Sequence, residues 1–320
     1  MQNPELAGHG YIASLDRVTK SYGNLRAITD ITLGVRKGEI FGYIGPNGAG
    51  KTTTIKILVG LIKDYDGAMA IGSNGTASSR GRALGYLPQY AAFQEWRTVS
   101  QALTTFGKLS GMSTLSIKQR MSEVLELLGI PETKNRKIAQ LSGGTIQKVG
   151  MAQAILHEPE FLVLDEPMAG LDPASRYQFK NVFRQLSREG TTILFSSHIL
   201  SDVQDIASRI GIISRGRLMH AGTLDELKER LKIPKNIDVM LSKDSGRLKE
   251  LERIKGVQSI ERVEQGRYVV HLTSEADIDI AVDTLIRNLV DGGSKIRFIN
   301  PVSLDLEDLY MRFVNQGEST

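Results

Sequence analysis

Residues 45–52 read Gly-Pro-Asn-Gly-Ala-Gly-Lys-Thr and match the pattern G-x-x-x-x-G-K-[ST] at every fixed position. An apolar run at residues 39–44 precedes them, and a segment of helical periodicity at residues 51–62 follows. This order predicts a strand, a glycine turn and a helix N-terminus. Glycines let backbone N–H groups turn toward phosphate oxygens, and a helix start adds unpaired N–H donors and partial positive charge. We therefore expect a triphosphate-binding loop rather than a chance glycine turn, with Lys51 at the β- and γ-phosphates and the Thr52 hydroxyl on Mg²⁺.

The whole chain has 320 residues, of which 41% are hydrophobic and 24% are charged, and this is a globular composition with room for two domains. It contains no cysteine, so a disulfide framework and a thiolate metal site are excluded, in keeping with a reducing cytosol. No apolar run is long enough to span a bilayer, and the N-terminus MQNPELAGHG does not have the pattern of a secretory signal. The net charge of +4 is small and no basic-aromatic RNA motif is present, so nucleic acid is not an expected partner.

The first 232 residues change in pattern along their length. Residues 12–44 contain short apolar runs between turn signals and predict a β-rich start, whereas residues 95–135 carry helical periodicity. Residues 141–213 alternate helices with continuous apolar strands, which is typical of a buried parallel sheet. We predict an α/β nucleotide-binding domain over residues 12–233, with a helical subdomain at about residues 92–140.

A charged helix and a proline-bearing linker at residues 224–236 mark a shift in composition, and we place a domain boundary near residues 233–236. After it the patterns predict the order strand, helix, strand, strand, helix, strand and a last helix. These segments are residues 237–241, 245–254, 257–263, 267–272, 278–289, 295–299 and 304–314. The order predicts a small α+β ferredoxin-like C-terminal domain over residues 236–320.

Two carboxylates follow one of the apolar strands. Residues 161–167 read Phe-Leu-Val-Leu-Asp-Glu-Pro, so Asp165 and Glu166 are expected at the C-terminal edge of the sheet, where ligands bind in α/β folds. Asp165 would hold Mg²⁺ directly or through a water, and Glu166 would polarise a water for in-line attack on the γ-phosphate. Two acids that only cap the next segment are the alternative.

Four other candidate site elements are weak evidence for nucleotide binding when each is taken alone. Leu-Ser-Gly-Gly at residues 141–144 is a second anion-binding element or an ordinary helix cap. His198 ends an apolar strand and could bond the γ-phosphate, orient the water or be structural. Gln89 could reach Mg²⁺ or water, and Tyr22 could stack on an adenine, although isolated residues of these types usually belong to the surface or the core.

In combination, these elements occur in one order along residues 12–232, and there the chain resembles the nucleotide-binding subunit of ATP-binding cassette (ABC) transporters. The resemblance implies a P-loop NTPase fold of ABC type with a helical subdomain. It also implies ATP hydrolysis as the activity and ATP and Mg²⁺ as cofactors.

The resemblance assigns a role to each matching residue. The phosphate loop comprises Gly45, Pro46, Asn47, Gly48, Ala49, Gly50, Lys51, Thr52 and Thr53. Tyr22 matches the aromatic residue that stacks on adenine, and Gln89 matches the glutamine that senses metal and membrane partner. Asp165 matches the magnesium-associated aspartate, Glu166 the catalytic base and His198 the switch histidine. The implied catalytic set is Lys51, Glu166 and His198, and the implied metal set is Thr52, Gln89 and Asp165.

Two further motifs match parts that act between subunits. Ser142, Gly143 and Gly144 match the signature that closes over the ATP of the other subunit, and Asp172, in Ala-Gly-Leu-Asp-Pro, matches the dimer-contact loop. The signature departs from the family at the next position, because Thr145 stands where glutamine is usual and is too short for one contact to the trans nucleotide. Lys148 replaces the usual arginine, and Met168 replaces the usual serine or threonine. Turnover is still expected, since the serine and both glycines are intact.

The C-terminal segment partly matches the Pro-x-Leu-Glu-Asp-aromatic tail of ABC-2 exporters, at Pro301 and Leu306-Glu307-Asp308-Leu309-Tyr310. An ordinary amphipathic helix is the alternative. The apolar residues of this last helix also predict a contact between the C-terminal domains of two copies, unless the helix simply covers its own domain's sheet or the nucleotide-binding domain. They are Leu304, Leu306, Leu309, Met311 and Phe313.

The chain as a whole is predicted to be the ATP-hydrolysing subunit of a membrane ABC transporter of ABC-2 exporter type, working with a separate permease at the cytoplasmic face of the cell membrane. Since each chain carries one phosphate loop and one signature, we expect two copies, or two paralogues, to sandwich two ATP molecules. An importer ATPase with a ligand-sensing C-terminal domain and a soluble ATP-dependent assembly or regulatory factor are the alternatives.

Overall fold

The computed structural model describes residues 10–71, 84–231, 235–245, 251–252, 254–273, 275–302 and 305–317. The chain divides into two compact units, Met1–Leu224 and Asp225–Thr320. The division falls at the start of the predicted charged helix and ahead of the boundary predicted near residues 233–236, where residues 232–234 lie outside the described residues.

The first unit contains nine strands within its described ranges. They are β1 (Tyr11–Tyr22), β2 (Leu25–Arg36), β3 (Ile40–Ile44), β4 (Asp66–Ile71), β5 (Leu84–Leu87), β6 (Phe161–Leu164), β7 (Thr192–Ser197), β8 (Arg209–Ser214) and β9 (Arg217–Gly222). β1, β2 and β4 form an antiparallel sheet in the order β2–β1–β4. The other six form a sheet in the order β5–β6–β7–β3–β8–β9, which is parallel except for β9. The buried parallel sheet predicted from the apolar runs is therefore confirmed.

Helices flank this parallel sheet and form the segment between β5 and β6. They are α1 (Lys51–Leu58), α2 (Val99–Leu109), α3 (Thr114–Leu127), α4 (Gly143–Ile155), α5 (Pro173–Arg188) and α6 (Leu200–Ile206). α1 ends at Leu58 rather than at the predicted residue 62, because Gly60 takes a φ of 78° and leaves the helical conformation. Among the described residues, no helix is long and apolar enough to cross a membrane.

The core of this unit lies between its two sheets. Phe41, Tyr43 and Phe161 from the parallel sheet pack in one buried cluster with Ile31 of β2 and Ile55 of α1. Every side chain of β3 and β6 is buried. Both strands are therefore held rigidly where they end, and their C-terminal ends carry the phosphate loop and the two carboxylates.

The second unit is built on a four-stranded sheet. Its elements are α7 (Leu224–Arg230), β10 (Lys235–Lys243), β11 (Val257–Glu264), β12 (Arg267–Leu272), α8 (Ile278–Asp291), β13 (Lys295–Val302) and α9 (Leu306–Gly317). The strands pair antiparallel in the order β11–β12–β10–β13, and α8 packs on one face. The helix expected at residues 245–254 falls mostly outside the described residues, so the ferredoxin-like assignment stays a prediction.

The last helix differs from the expectation of an exposed contact. Leu306, Leu309 and Phe313 of α9 are buried within the chain, while Met311 is 55% exposed. The guanidinium of Arg230 lies 5.1 Å from the centre of the Phe313 ring. Leu304 lies outside the described residues. Of the predicted contact residues that the structure describes, three are thus covered within the chain and only Met311 is exposed.

Candidate active site

The phosphate loop connects β3 to α1 and depends on its glycines. A Cβ on Gly45 would lie 2.3 Å from the carbonyl oxygen of Ile213. Gly50, the N-cap of α1, has a φ of 108°, and a Cβ there would lie 2.8 Å from the oxygen of Ala27. Glycine is therefore required at both ends, and the loop stays close to β8 and β2.

Lys51 is the first residue of α1, and its side chain folds back over the loop. Its Nζ donates hydrogen bonds to the oxygens of Gly45, at 2.7 Å, and Pro46, at 3.2 Å. The same nitrogen lies 3.2 Å from Oε1 of Glu166, and both side chains are almost fully buried. A buried cation and a buried anion thus face each other across the site.

Glu166 follows β6 and has two charged or polarisable neighbours. Nδ1 of His198 lies 2.6 Å from its Oε2, and because the carboxylate accepts, this nitrogen carries the hydrogen. The backbone φ of Glu166 is 51°, a left-handed value that non-glycine residues rarely adopt. The carboxylate is therefore held by Lys51 on one oxygen and His198 on the other.

Ser196 fixes the two carboxylate residues together. Its hydroxyl donates to Oδ1 of Asp165 at 2.8 Å and accepts the backbone N–H of Glu166, also at 2.8 Å. The sequence analysis missed this residue, although it lies two positions before His198 in the same strand end. The signal was available in principle, because neighbouring parallel strands bring their C-terminal ends to one edge.

A groove of about 420 Å³ opens beside these residues. Its lining residues are Tyr22, Leu25, Arg26, Ala27, Pro46, Asn47, Gly48, Gly50, Lys51, Thr52, Thr53, Gln89 and Glu166. The groove brings together the predicted aromatic residue, most of the phosphate loop, the glutamine and the predicted base. Leu25, Arg26 and Ala27 were not predicted. Tyr22 pairs directly with Leu25 across the β1–β2 hairpin, so the short turn between them could have indicated this part of the lining.

Eight predicted residues do not line this groove. Gly45 and Ala49 belong to the phosphate loop itself, and Asp165 and His198 lie beside Glu166. The other four, Ser142, Gly143, Gly144 and Asp172, belong to separate helix starts. Ser142 is the N-cap of α4, and its Oγ lies 2.9 Å from the hydroxyl oxygen of Thr145. Ser142 and Gly143 are exposed. Asp172 caps α5, and its hydrogen bond from Ser175 holds the pKa of the carboxyl below its usual value. These last four residues sit at exposed helix starts, and one chain alone does not bring them to its own nucleotide groove.

The neighbourhood of Asp165 is strongly buried. Burial, with the charge of Asp165 as a second cause, raises the pKa of Tyr86 to about 12, so this phenol stays protonated at neutral pH. The described residues hold no group of three or more acidic or histidine side chains that could bind a metal ion on its own. Thr52, Gln89 and Asp165 would supply hydroxyl, amide and carboxylate oxygens. This hard donor set suits Mg²⁺ when waters and phosphate oxygens complete it.

Two departures from the family pattern have structural roles. Nζ of Lys148, on α4, donates to Oε1 of Gln178 at 2.8 Å, and Nε2 of Gln178 donates to the oxygen of Leu127 at 3.3 Å. Lys148 therefore links α4 to α5 and, through Gln178, to the end of α3. Met168 is buried and packs in the core.

The amino-acid sequence is similar to those of known proteins. Residues 28–169 match the family model described as ABC transporter. The chain is 38% identical to an uncharacterized ABC transporter ATP-binding protein of Bacillus subtilis, over 68% of this chain and 72% of that protein. It is 31% identical to the bacitracin transport ATP-binding protein of Bacillus licheniformis, over 94% of this chain and 96% of that protein.

A solved structure shows the corresponding fold. The chain is similar to the structure of an ATP binding subunit of an ABC transporter with a TM-score of 0.65 and 28% identity, covering 69% of this chain and 94% of the other. The groove, the buried carboxylates and these similarities agree, and the chain belongs to the family of ABC transporter ATP-binding subunits, which hydrolyse ATP.

Proposed function

We propose that this chain is the Mg²⁺-dependent ATPase subunit of an ABC exporter of ABC-2 type, bound to a separate permease at the cytoplasmic face of the membrane. The observation that carries the catalytic part of the proposal is the Glu166 carboxylate. It lines the groove and is contacted by Lys51 and His198 on its two oxygens.

The groove would hold ATP along the phosphate loop. Backbone N–H groups of residues 45–53, at the N-terminus of α1, would bind the phosphates, and Lys51 would neutralise part of their charge. Tyr22, which also lines the groove, is 48% exposed and would stack on the adenine through the ring face that does not contact Lys20, whose Nζ lies 5.1 Å from the ring centre. When bound, Mg²⁺ would be held by Thr52, Gln89 and Asp165 and would neutralise charge on the phosphate oxygens.

Hydrolysis would use Glu166 as the residue that accepts a proton from the attacking water. General bases act within hydrogen-bond reach of the proton that they remove, and Glu166 is placed in the groove by its left-handed backbone and by Ser196. His198 would hold the carboxylate in position through Nδ1. Lys51, which contacts Glu166 here, would turn to the phosphates once they are present.

The exposed signature supports a two-chain site. Ser142 and Gly143 lie at the exposed N-terminus of α4, and neither lines the groove of its own chain. A helix N-terminus attracts anions, so this surface would complete the phosphate site of a second copy. Two copies would then sandwich two ATP molecules.

The proposed direction of transport, export, is based on the names of two similar proteins. One relative, 35% identical over 68% of this chain, is the linearmycin resistance ATP-binding protein of Bacillus subtilis, and another is named for the transport of bacitracin. Resistance to a toxic compound is what export would provide. We therefore propose export of a toxic compound as the work that ATP hydrolysis drives, with bacitracin as the compound to test.

Purification of the tagged chain from detergent-solubilised membranes tests the partner, and inside-out vesicles test the direction. We expect a permease with several membrane spans to co-purify, and vesicles containing both chains to accumulate bacitracin when ATP is added outside. A chain that purifies alone with full ATPase activity would contradict the transporter role. ATP-driven loss of preloaded bacitracin would contradict export only.

A further inference from the structure

The two edges of the C-terminal sheet differ in how they are protected. β13, at one edge, contains Pro301, which has no N–H to donate, and Lys295. β11, at the other edge, reads Val-Gln-Ser-Ile-Glu-Arg-Val-Glu and contains no proline, glycine or lysine. Six of its eight side chains are exposed, and it pairs only with β12 among the described strands. β11 carries Glu261, Arg262 and Glu264 and is irregular at both ends, so it can accept only a strand whose charges match its own.

We propose that β11 pairs antiparallel with β11 of a second copy, so that two four-stranded sheets join into one sheet of eight. The partner is this chain itself because the strand complements its own sequence in a particular register. Two identical β11 strands that pair antiparallel are related by a two-fold axis perpendicular to the sheet. One residue of β11 then lies directly opposite the same residue of the second copy.

The cross-strand side-chain pairs favour one register over the others. With the axis at Ile260, seven residues pair on each strand. Ile260 then faces Ile260, Ser259 faces Glu261 and Gln258 faces Arg262 of the second copy, with valines opposite each other at the ends. Centring on Glu261 or Arg262 places like charges directly opposite, which is destabilising. Centring on Ser259 pairs only five residues and sets Val257 against Glu261.

The local geometry agrees with that centre. The pairing of β11 with β12 is irregular between Val257 and Ser259 and again between Arg262 and Glu264. The regular stretch, Ser259 to Arg262, contains the proposed axis. Ile260 is half-buried and packs against the core cluster under the sheet, so its position is fixed before a second copy arrives.

Such a contact would act without nucleotide and so goes beyond the proposed ATP sandwich. It would keep two copies together after hydrolysis and raise the effective concentration of each ATPase site for the other. The pairing of C-terminal domains expected from the sequence would then come from the sheet edge and not from Leu306, Leu309 and Phe313 of α9, which are buried.

Single cysteines test the register directly, since the chain contains none. In the proposed pairing, two copies of Ile260→Cys have Cα atoms about 5 Å apart, within the range of a disulfide. Two copies of Val263→Cys would be about 20 Å apart, because six residue steps separate them. With copper–phenanthroline and no nucleotide, we expect a covalent dimer of Ile260→Cys and none of Val263→Cys. No cross-link in a folded Ile260→Cys chain, or equal cross-linking of both variants, would overturn the proposal.

Charge at the exposed Ser259 gives a second test that does not disturb folding. Ser259→Glu would face Glu261 of the second copy, whereas Ser259→Lys would form a pair of opposite charges with it. We expect sedimentation of the full chain without nucleotide to show a dimer Kd that rises in the first variant and falls in the second. Each change should be about two- to thirtyfold, because two such pairs form by symmetry. Equal Kd values, or shifts of the same sign, would overturn the register. ATP turnover measured in parallel reports on the proposed function separately.

Discussion

At the scale of the residue, the chemistry of this molecule depends on how one carboxylate is held. Glu166 keeps a left-handed φ of 51°, a conformation that costs about 1–3 kcal/mol and persists only where its surroundings enforce it. The enforcing contacts are the Ser196 hydroxyl on its backbone N–H, Lys51 on one carboxylate oxygen and His198 on the other. The strain directs the side chain into the groove instead of along the strand.

Glu166→Gln should retain ATP binding while ATP turnover falls about 10²–10⁴-fold, because the amide keeps the size of the side chain but cannot accept the proton. Steady-state turnover and nucleotide affinity, measured on the same preparation, check this expectation. Glu158→Gln is the matched control, since Glu158 also has a positive φ of 54° but its side chain is 71% exposed and outside the groove. Near wild-type turnover of Glu166→Gln would remove Glu166 from the role of base.

Lys51→Ala should lose both nucleotide affinity, at least tenfold, and turnover, by about 10²–10³, because it removes a buried cation from the phosphate loop. Titration with a fluorescent ATP analogue and a turnover assay provide the measurement. Lys56→Ala, on the exposed face of the same helix, should change neither. Unchanged affinity in Lys51→Ala would mean that the backbone N–H groups of the loop bind the phosphates without it.

His157 should make the stability depend on pH. Burial lowers the pKa of this imidazole, and its Nε2 donates a hydrogen bond to the oxygen of Leu84 that offsets part of the effect. The folded chain therefore keeps the ring neutral where the unfolded chain, with a usual pKa of about 6.5, takes up a proton. The stability from His157 is present above pH 6.5 and is lost as the pH falls toward the lower folded pKa.

The measurement is the melting temperature at pH 7.5 and pH 5.5. The wild-type chain should lose more between these values than His157→Gln, whose amide can still donate to Leu84 but does not titrate. Parallel losses in the two proteins would show that the titrating groups lie elsewhere.

At the scale of the element, two helix starts carry the residues that we propose to act on a second copy, Ser142 at α4 and Asp172 at α5. Ser142 caps α4 and shares a hydrogen bond with Thr145, the position at which the chain departs from its family. A glutamine there would give up this bond and extend further from the helix. The departure therefore replaces a longer amide side chain with a hydroxyl that bonds Ser142, while the backbone N–H of Thr145 that Ser142 caps is available in either case.

Thr145→Gln should strengthen ATP-dependent dimerisation, because the longer amide can reach the nucleotide held by the other copy. Sedimentation of Glu166→Gln and Glu166→Gln/Thr145→Gln chains with ATP would measure the dimer fraction. Thr114→Gln, at the exposed start of α3, is the control for adding an amide to a helix N-terminus. An unchanged dimer fraction would show that this position contributes little binding energy.

The sequence predicted elements better than the contacts between them. β6 was predicted at its observed bounds because a continuous apolar run ending in acids allows few other structures. The bond from Ser196 to Asp165 was not predicted, because it depends on the register in which Leu164 lies beside Phe195. The groove residues Leu25 and Arg26 were missed for a similar reason, since a hairpin turn and not a motif brings them to Tyr22. Motif residues could be found one by one, but their partners required the sheet.

At the scale of the whole molecule, all residues assigned to nucleotide chemistry lie in the unit that ends at Leu224, and β11 lies in the unit that follows. The two proposed contacts between copies are therefore separable along the chain. One depends on ATP and on the starts of α4 and α5, and the other depends on a sheet edge.

A chain shortened after Leu224 should fold and bind ATP with an affinity within about threefold of the full chain, because domains with their own core are able to fold alone. The core between the two sheets, the phosphate loop, Glu166 and His198 are all retained. The same chain should sediment as a monomer without nucleotide, since it lacks β11, and should still dimerise with ATP in the Glu166→Gln background. Nucleotide titration measures the ATP affinity of the shortened and the full chain. Sedimentation of each, with and without ATP, measures its dimerisation. Loss of ATP binding would show that the first unit depends on the second, whereas a nucleotide-free dimer of the shortened chain would place the standing contact between copies in the first unit.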